Sequence, residues 1–124
     1  MKTQDPRAVV EQYFAAWTGH DPDRAYALLA PNLEFSGPGA QYRTAEEFRP
    51  GLVAFAAMAK GARVLEVLVD GDRVAMLYDC DLPDPVGTLR ISSFFRVENG
   101  KIRTYDTRFD ATNFSKLVAK KGAS

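Results

Sequence analysis

The chain holds one cysteine, one histidine and one tryptophan in 124 residues. A lone cysteine, Cys80, cannot close a disulfide within the chain, which suits a reducing cytoplasm. One cysteine and one histidine cannot assemble the usual zinc ligand sets, and neither a metal nor a cofactor is expected. Charge of either sign is not in excess: 16 Lys and Arg residues face 16 Asp and Glu. The basic field that nucleic acid or anionic lipid demands is therefore missing. No apolar run is long enough to span a bilayer, and Met1–Arg7 lacks the apolar core of a signal peptide. These absences leave a cytoplasmic protein with neither nucleic acid nor membrane as partner.

What is present suits one globular unit, residues 1–124, with 46% hydrophobic and 26% charged residues. Helical signals fill the first half. Asp5 and Pro6 can open a first helix that Gly19 stops, with Val9, Val10, Tyr13, Phe14 and Trp17 on one apolar stripe. Asp21 and Pro22 open a second, ending before Pro31. Leu33–Ser36 reads as a short strand leading into a Gly37–Gly39 loop. Thr44 and Glu47 fit a capping box for a third helix running to Gly61, in which Pro50-Gly51 predicts a kink or split. From Ala62 the period changes to 2. Strands are expected at 62–70, 73–82, 87–98 and 101–109, divided by Asp70-Gly71-Asp72, by Pro83-Asp84-Pro85 and by Glu98-Asn99-Gly100. Asp110 can cap a last helix over 111–120. Helices first and an antiparallel meander afterwards is an α+β order. A curved sheet wrapped around helices encloses a blind cavity, the kind of place where small, mostly apolar molecules bind.

The strand at 73–82 carries the most chemistry. Alternation puts Ala75, Leu77, Asp79 and Asp81 on one face and Val74, Met76, Tyr78, Cys80 and Leu82 on the other, which is wholly apolar. The two aspartates are roughly 6–7 Å apart at a strand rise of about 3.3 Å. Facing a dry hollow, desolvation and mutual repulsion would raise their pKa values and supply one acid and one base. Facing water, Asp79 is solvated and Asp81 belongs to the turn at Pro83. Both readings are open from the pattern alone.

Val10-Glu-Gln-Tyr-Phe-Ala-Ala-Trp17 with Gly19-His-Asp21, Ala27-Leu-Leu-Ala-Pro31, and Phe94-Phe-Arg-Val-Glu-Asn-Gly-Lys-Ile102 with Phe109-Asp110 resemble the nuclear transport factor 2-like superfamily. This SnoaL-like group includes ketosteroid isomerases, limonene epoxide hydrolases and polyketide cyclases, and the resemblance spans essentially the whole chain. It implies a cone-like curved antiparallel sheet around three N-terminal helices, enclosing a cavity. Tyr13 falls at the isomerases' oxyanion-hole tyrosine, Gly37 where they carry the general-base aspartate, and Ser93 at their second oxyanion donor. Asp79-Cys80-Asp81 falls on the epoxide hydrolases' Arg-x-Asp, with an acid in place of the arginine, and Thr107 on their last-strand aspartate. By this alignment Leu77, Asp79 and Asp81 look into the cavity, while Met76, Tyr78 and Cys80 lie outside, on the face that commonly forms the superfamily's dimer contact.

The expected function is cofactor-free general acid–base chemistry (cyclisation, isomerisation, dehydration or hydrolysis) on a small hydrophobic or hydroxylated organic molecule. Asp81 would be the base, Asp79 its partner or acid, and Tyr13 the oxyanion donor. Trp17, Leu52, Phe55, Leu77, Ser93, Phe95, Tyr105 and Thr107 would form the pocket, with Pro38 and Pro83-Asp84-Pro85 at its mouth. The alternative is a non-catalytic ligand-binding or dimerising module of the same fold. Burial separates the two: enclosed carboxylates favour the enzyme, and carboxylates open to solvent favour the module. His20, in an interhelical loop, reads as surface, Cys80 as a small hydrophobe, and Asp106 and Arg108 as a solvated face.

Overall fold

The computed structural model describes residues 5–113. Its helices are α1 (Pro6–Thr18), α2 (Pro22–Tyr26) and α3 (Ala45–Met58). Its strands are β1 (Leu29–Gly37), β2 (Ala40–Tyr42), β3 (Gly61–Asp70), β4 (Arg73–Asp81), β5 (Thr88–Glu98) and β6 (Lys101–Arg108). They form one sheet in the order β2-β1-β6-β5-β4-β3. All its ladders are antiparallel except β1–β6, which is parallel. Strands β3 to β6 form the expected antiparallel meander, and β1 joins it in parallel beside β6. Irregularities between Val64 and Glu66 and between Arg96 and Val97 interrupt the register. Extra residues of this kind bend a strand and increase its twist, so the sheet curves around the helices.

Local chemistry sets most boundaries. Asp21 accepts from the Arg24 amide at 3.2 Å, and Thr44 Oγ1 accepts from the Glu47 amide at 3.1 Å. The return half of the expected capping box differs, since Glu47 Oε1 accepts from the amide of Arg43, one residue before the cap. Asp5 makes no side-chain cap, and α1 starts on Pro6 alone. Pro50 does not split α3: it forfeits one amide donor on the exposed side, while Phe48, Leu52 and Ala56 stay buried on the other. Asn99 and Gly100 both take positive φ (53° and 76°), as a two-residue hairpin with right-handed twist requires. The helix expected over 111–120 lies almost wholly outside the described residues. Asp110 Oδ1 does accept from the Thr112 amide at 3.0 Å.

The core lies between the inner sheet face and the helices. Val74, Met76, Tyr78, Cys80 and Leu82 are all buried there, with Ile91, Phe95 and Val97 from β5 and Val9, Val10 and Tyr13 from α1. The β4 orientation expected from the resemblance is therefore reversed. Turning β4 over would expose five apolar side chains, each worth about 1.5–3 kcal/mol on burial, and enclose two carboxylates in their place.

Candidate functional site

A cavity of about 390 Å³ opens between α1, α3 and the inner face of the sheet. From α1, Tyr13 and Trp17 reach it one helical turn apart. From α3, Leu52, Ala54 and Phe55 form the opposite wall. Phe35, Tyr78, Ile91, Tyr105 and Thr107 rise from the sheet beneath. Gly37 and Pro38, at the β1–β2 turn, lie on its rim. Half of the described lining residues are aromatic and none bears a formal charge. The rings pack largely edge to face: Tyr13 on Tyr105 (5.5 Å between centroids, 87°), Trp17 on Phe55 (5.3 Å, 62°) and Phe35 on Tyr105 (5.0 Å, 89°). Such pairing fixes ring positions beyond what burial alone does.

The floor is polar. Ser93 and Thr107 are paired across β5 and β6, so both hydroxyls lie on the inner face, 2.9 Å apart. The Tyr13, Tyr78 and Tyr105 side chains line the same cavity. Burial pushes the Tyr13, Tyr78 and Tyr105 phenols well above their ordinary values, so each stays a neutral donor. Hydrogen-bond donors on an apolar-walled floor can hold and polarise one ligand oxygen.

The expected catalytic pair is elsewhere. Asp79 and Asp81 lie on the outer sheet face, apart from the cavity, with Leu77. Asp79 stands directly between Arg63 on β3 and Arg90 on β5. Arg90 Nε donates to its Oδ1 at 2.8 Å and Arg90 Nη2 to its Oδ2 at 3.0 Å. Asp81 accepts from Arg63 Nη1 at 3.0 Å and from Thr88 Oγ1 at 2.7 Å. Hydrogen bonds from Arg90 hold the Asp79 carboxyl below its usual range, and those from Arg63 and Thr88 do the same for Asp81. These are ionised partners of arginines, the reverse of the raised, proton-sharing pair that acid–base work requires.

Of the other expected residues, Tyr13, Trp17, Leu52, Phe55, Tyr105 and Thr107 line the cavity. Ser93 is wholly buried behind Thr107. Phe95 packs beneath, its ring 4.6 Å from Tyr105 and 6.2 Å from Tyr13. Pro38 is at the mouth, whereas Pro83 and Pro85 belong to the β4–β5 connection and do not line it. Tyr78 is the residue that sequence reasoning put on the wrong side, and the unbroken apolar alternation of β4 was the signal for it. Phe35 on β1 and Tyr42 on β2, stacked at 5.9 Å, were missed; β2 is only three residues long and leaves little pattern. A Cβ on Gly37 would sit 3.0 Å from the Phe35 ring and 3.1 Å from Thr107 Cγ2, so that position has no room for a carboxylate unless Phe35 moves. Cys80, its thiol pushed up to about 11 by burial, is an inert core group. His20, exposed in its loop at φ 64°, lies 2.9 Å through Nδ1 from the Ala56 carbonyl oxygen. Among the described residues no cluster of three or more His, Cys, Asp or Glu could hold a metal ion. No helix there is long and apolar enough to cross a membrane.

The family model for the SnoaL-like domain matches residues 10–105. The chain belongs to the SnoaL-like family. A crystal structure of a protein from Kribbella flavida DSM 17836 superposes on this SnoaL-like chain with a TM-score of 0.84 at 25% identity, covering 94% of this chain and 96% of the other. An NTF2-like protein of unknown function from Cytophaga hutchinsonii ATCC 33406 gives 0.77 at 23%, covering 95% and 99%. An LEH-like epoxide hydrolase of M. tuberculosis gives 0.73 at 21%, covering 98% of each. The last two likenesses establish a shared fold. No curated protein matches the sequence.

Proposed function

We propose that this SnoaL-like domain is a small-molecule-binding module whose cavity takes a compact hydrophobic ligand and orients it on the hydroxyl floor. One observation carries the reading. The described walls offer neutral phenols and a threonine hydroxyl but no carboxylate or imidazole, so no side chain there can act as a general base. The reaction named for the epoxide hydrolase relative does not come across with the fold, since Asp79 and Asp81 are engaged by arginines outside the cavity. A volume near 390 Å³ lies toward the lower end of the roughly 300–1,000 Å³ typical of small-molecule sites.

Trp17 is the single tryptophan and lines the cavity, so its fluorescence reports occupancy directly. In a titration with small aryl ketones and phenols, at least one should change the Trp17 emission saturably. Ala54→Phe, an exposed position on the cavity rim, should weaken that ligand about tenfold or more, worth about 1.4 kcal/mol, at unchanged melting temperature. An emission change that persists undiminished in Ala54→Phe would place the ligand elsewhere and end this reading.

The outer sheet face supports a second element of the proposal, self-association. Leu68 and Phe94 are 61% and 53% exposed there, beside Ala75 and Leu77. This set replaces the Met76, Tyr78 and Cys80 stripe expected from the sequence.

A further inference from the structure

We propose that the cavity selects its ligand by charge, accepting an uncharged molecule with a hydrogen-bond-accepting oxygen and rejecting anions and cations of the same shape. The inference rests on the binding reading above and adds the chemical class of what is bound.

Among the described residues, the titratable groups that line the cavity are Tyr13 from α1, Tyr42 from β2, Tyr78 from β4 and Tyr105 from β6, all phenols. From α3 and β5 come only apolar side chains, such as Leu52, Phe55 and Ile91. Arg63, Arg90, Arg96 and Arg108 pair with acids on the opposite face. An anion entering would lose its hydration without meeting a cation among the described lining residues, and desolvating an unpaired charge is among the costliest events in a protein.

A cation fares no better. Aromatic walls can bind one when ring faces surround it. Here many rings pack edge to face with one another, as in Tyr13 with Tyr105, Trp17 with Phe55 and Phe14 with Trp17, and each such pair covers one ring face. No carboxylate among the described lining residues completes a cage. The floor presents hydroxyls, and the buried phenols keep their protons through the physiological range. A carbonyl or ether oxygen can accept from them without carrying charge into the site.

The pH dependence of binding should therefore belong to the ligand. A weak acid enters only in its protonated form, so its apparent affinity is scaled by the neutral fraction. An uncharged ligand should bind equally well across the neutral range.

The test uses three naphthalenes alike but for charge: 2-acetonaphthone, 2-naphthoate and 2-naphthyltrimethylammonium, titrated by calorimetry and by Trp17 fluorescence. The ketone should bind, with affinity level between about pH 5 and pH 8. At about pH 8 the naphthoate and the ammonium should each bind at least tenfold more weakly. The naphthoate should recover up to about tenfold per pH unit as the solution is acidified. Thr107→Val should weaken the ketone and leave the fold intact, because it removes a hydroxyl from the floor at nearly constant volume. Either ion binding within about threefold of the ketone at about pH 8 would overturn charge selection while leaving cavity binding standing. Failure of all three to bind would overturn the charge-selection proposal together with the reading beneath it.

Discussion

Asp79 shows how position decides what a carboxylate does. Two arginines directly opposite it, Arg63 and Arg90, converge on a side chain left 13% exposed. Their attraction outweighs the desolvation that would raise its pKa, so the shift is downward. Asp81 is lowered by the same kind of partner. A carboxyl with a depressed folded-state pKa contributes stability that is present above its unfolded value, about 3.9, and is lost as pH falls through the folded value. Asp79→Asn should accordingly melt below the wild type at neutral pH, and the gap should close as the solution is acidified below about pH 4. High salt should narrow the neutral gap as well, since the pair is partly open to solvent. Thermal melts of both proteins across this range check the idea; a gap that does not change with pH would mean that the carboxylate's charge is not what stabilises the strand. Binding at Trp17 should be untouched by the substitution.

At the scale of elements, β4 is where sequence reasoning and structure part. Hydrophobic periodicity found α1, α3 and the four long strands, and turn chemistry at Gly71 and Asn99-Gly100 located two hairpins. Tyr13, Trp17, Leu52 and Phe55 were legible as cavity residues from the apolar stripes of their helices, and Tyr105 and Thr107 from the family alignment; all six line the cavity. Asp79 and Asp81 went astray because an aligned motif was preferred to the plain rule that the wholly apolar face of an amphipathic strand is the buried one. In the observed register Met76 is opposite Ser93 and Tyr78 opposite Ile91, so an inward Ser93 obliges an inward Met76. That register depends on the connection from Leu82 to Gly87, and a slip of one residue reverses every side chain, which is why the pattern of β5 alone could not orient β4. The parallel β1–β6 ladder joins segments distant in sequence and leaves no local signal. A direct check on β4 is Met76→Ala, which removes a side chain only 2% exposed. Denaturant unfolding should show a loss of about 2–5 kcal/mol. A change within about 0.5 kcal/mol is the behaviour of a surface position and would return Met76 to the outside.

The described residues present two faces of opposite character: a hollow lined by uncharged side chains and an open sheet surface rich in both charge and apolar area. On that surface Leu68, Ala75, Leu77 and Phe94 form the centre, with a shallow depression of about 470 Å³ bounded by Leu68, Ala75, Phe94, Arg96, Thr104 and Asp106. Ion pairs stand around it: Arg63–Asp81 and Arg90–Asp79 toward one end, Arg96–Asp72 toward the other, and Arg108–Asp106 alongside on β6. An apolar centre inside a polar rim is the anatomy of a protein interface. With both signs of charge on one patch, two copies can meet there without net like-charge repulsion. A second copy of the chain is the occupant this predicts, and Phe94 is its natural anchor, because exposed aromatics at an interface centre carry disproportionate binding energy. Light scattering and sedimentation should find a dimer at micromolar concentration, and Phe94→Glu should weaken it by 2 kcal/mol or more, about thirtyfold. The variant should keep the wild-type Trp17 response to cavity ligands, since the Phe94 ring projects from the opposite side of the sheet. A wild-type protein that stays monomeric at about 100 μM, where even weak specific dimers form, would leave Leu68 and Phe94 as exposed apolar residues with no self-partner. A Phe94→Glu protein that dimerises as tightly as the wild type would move the interface off this face altogether.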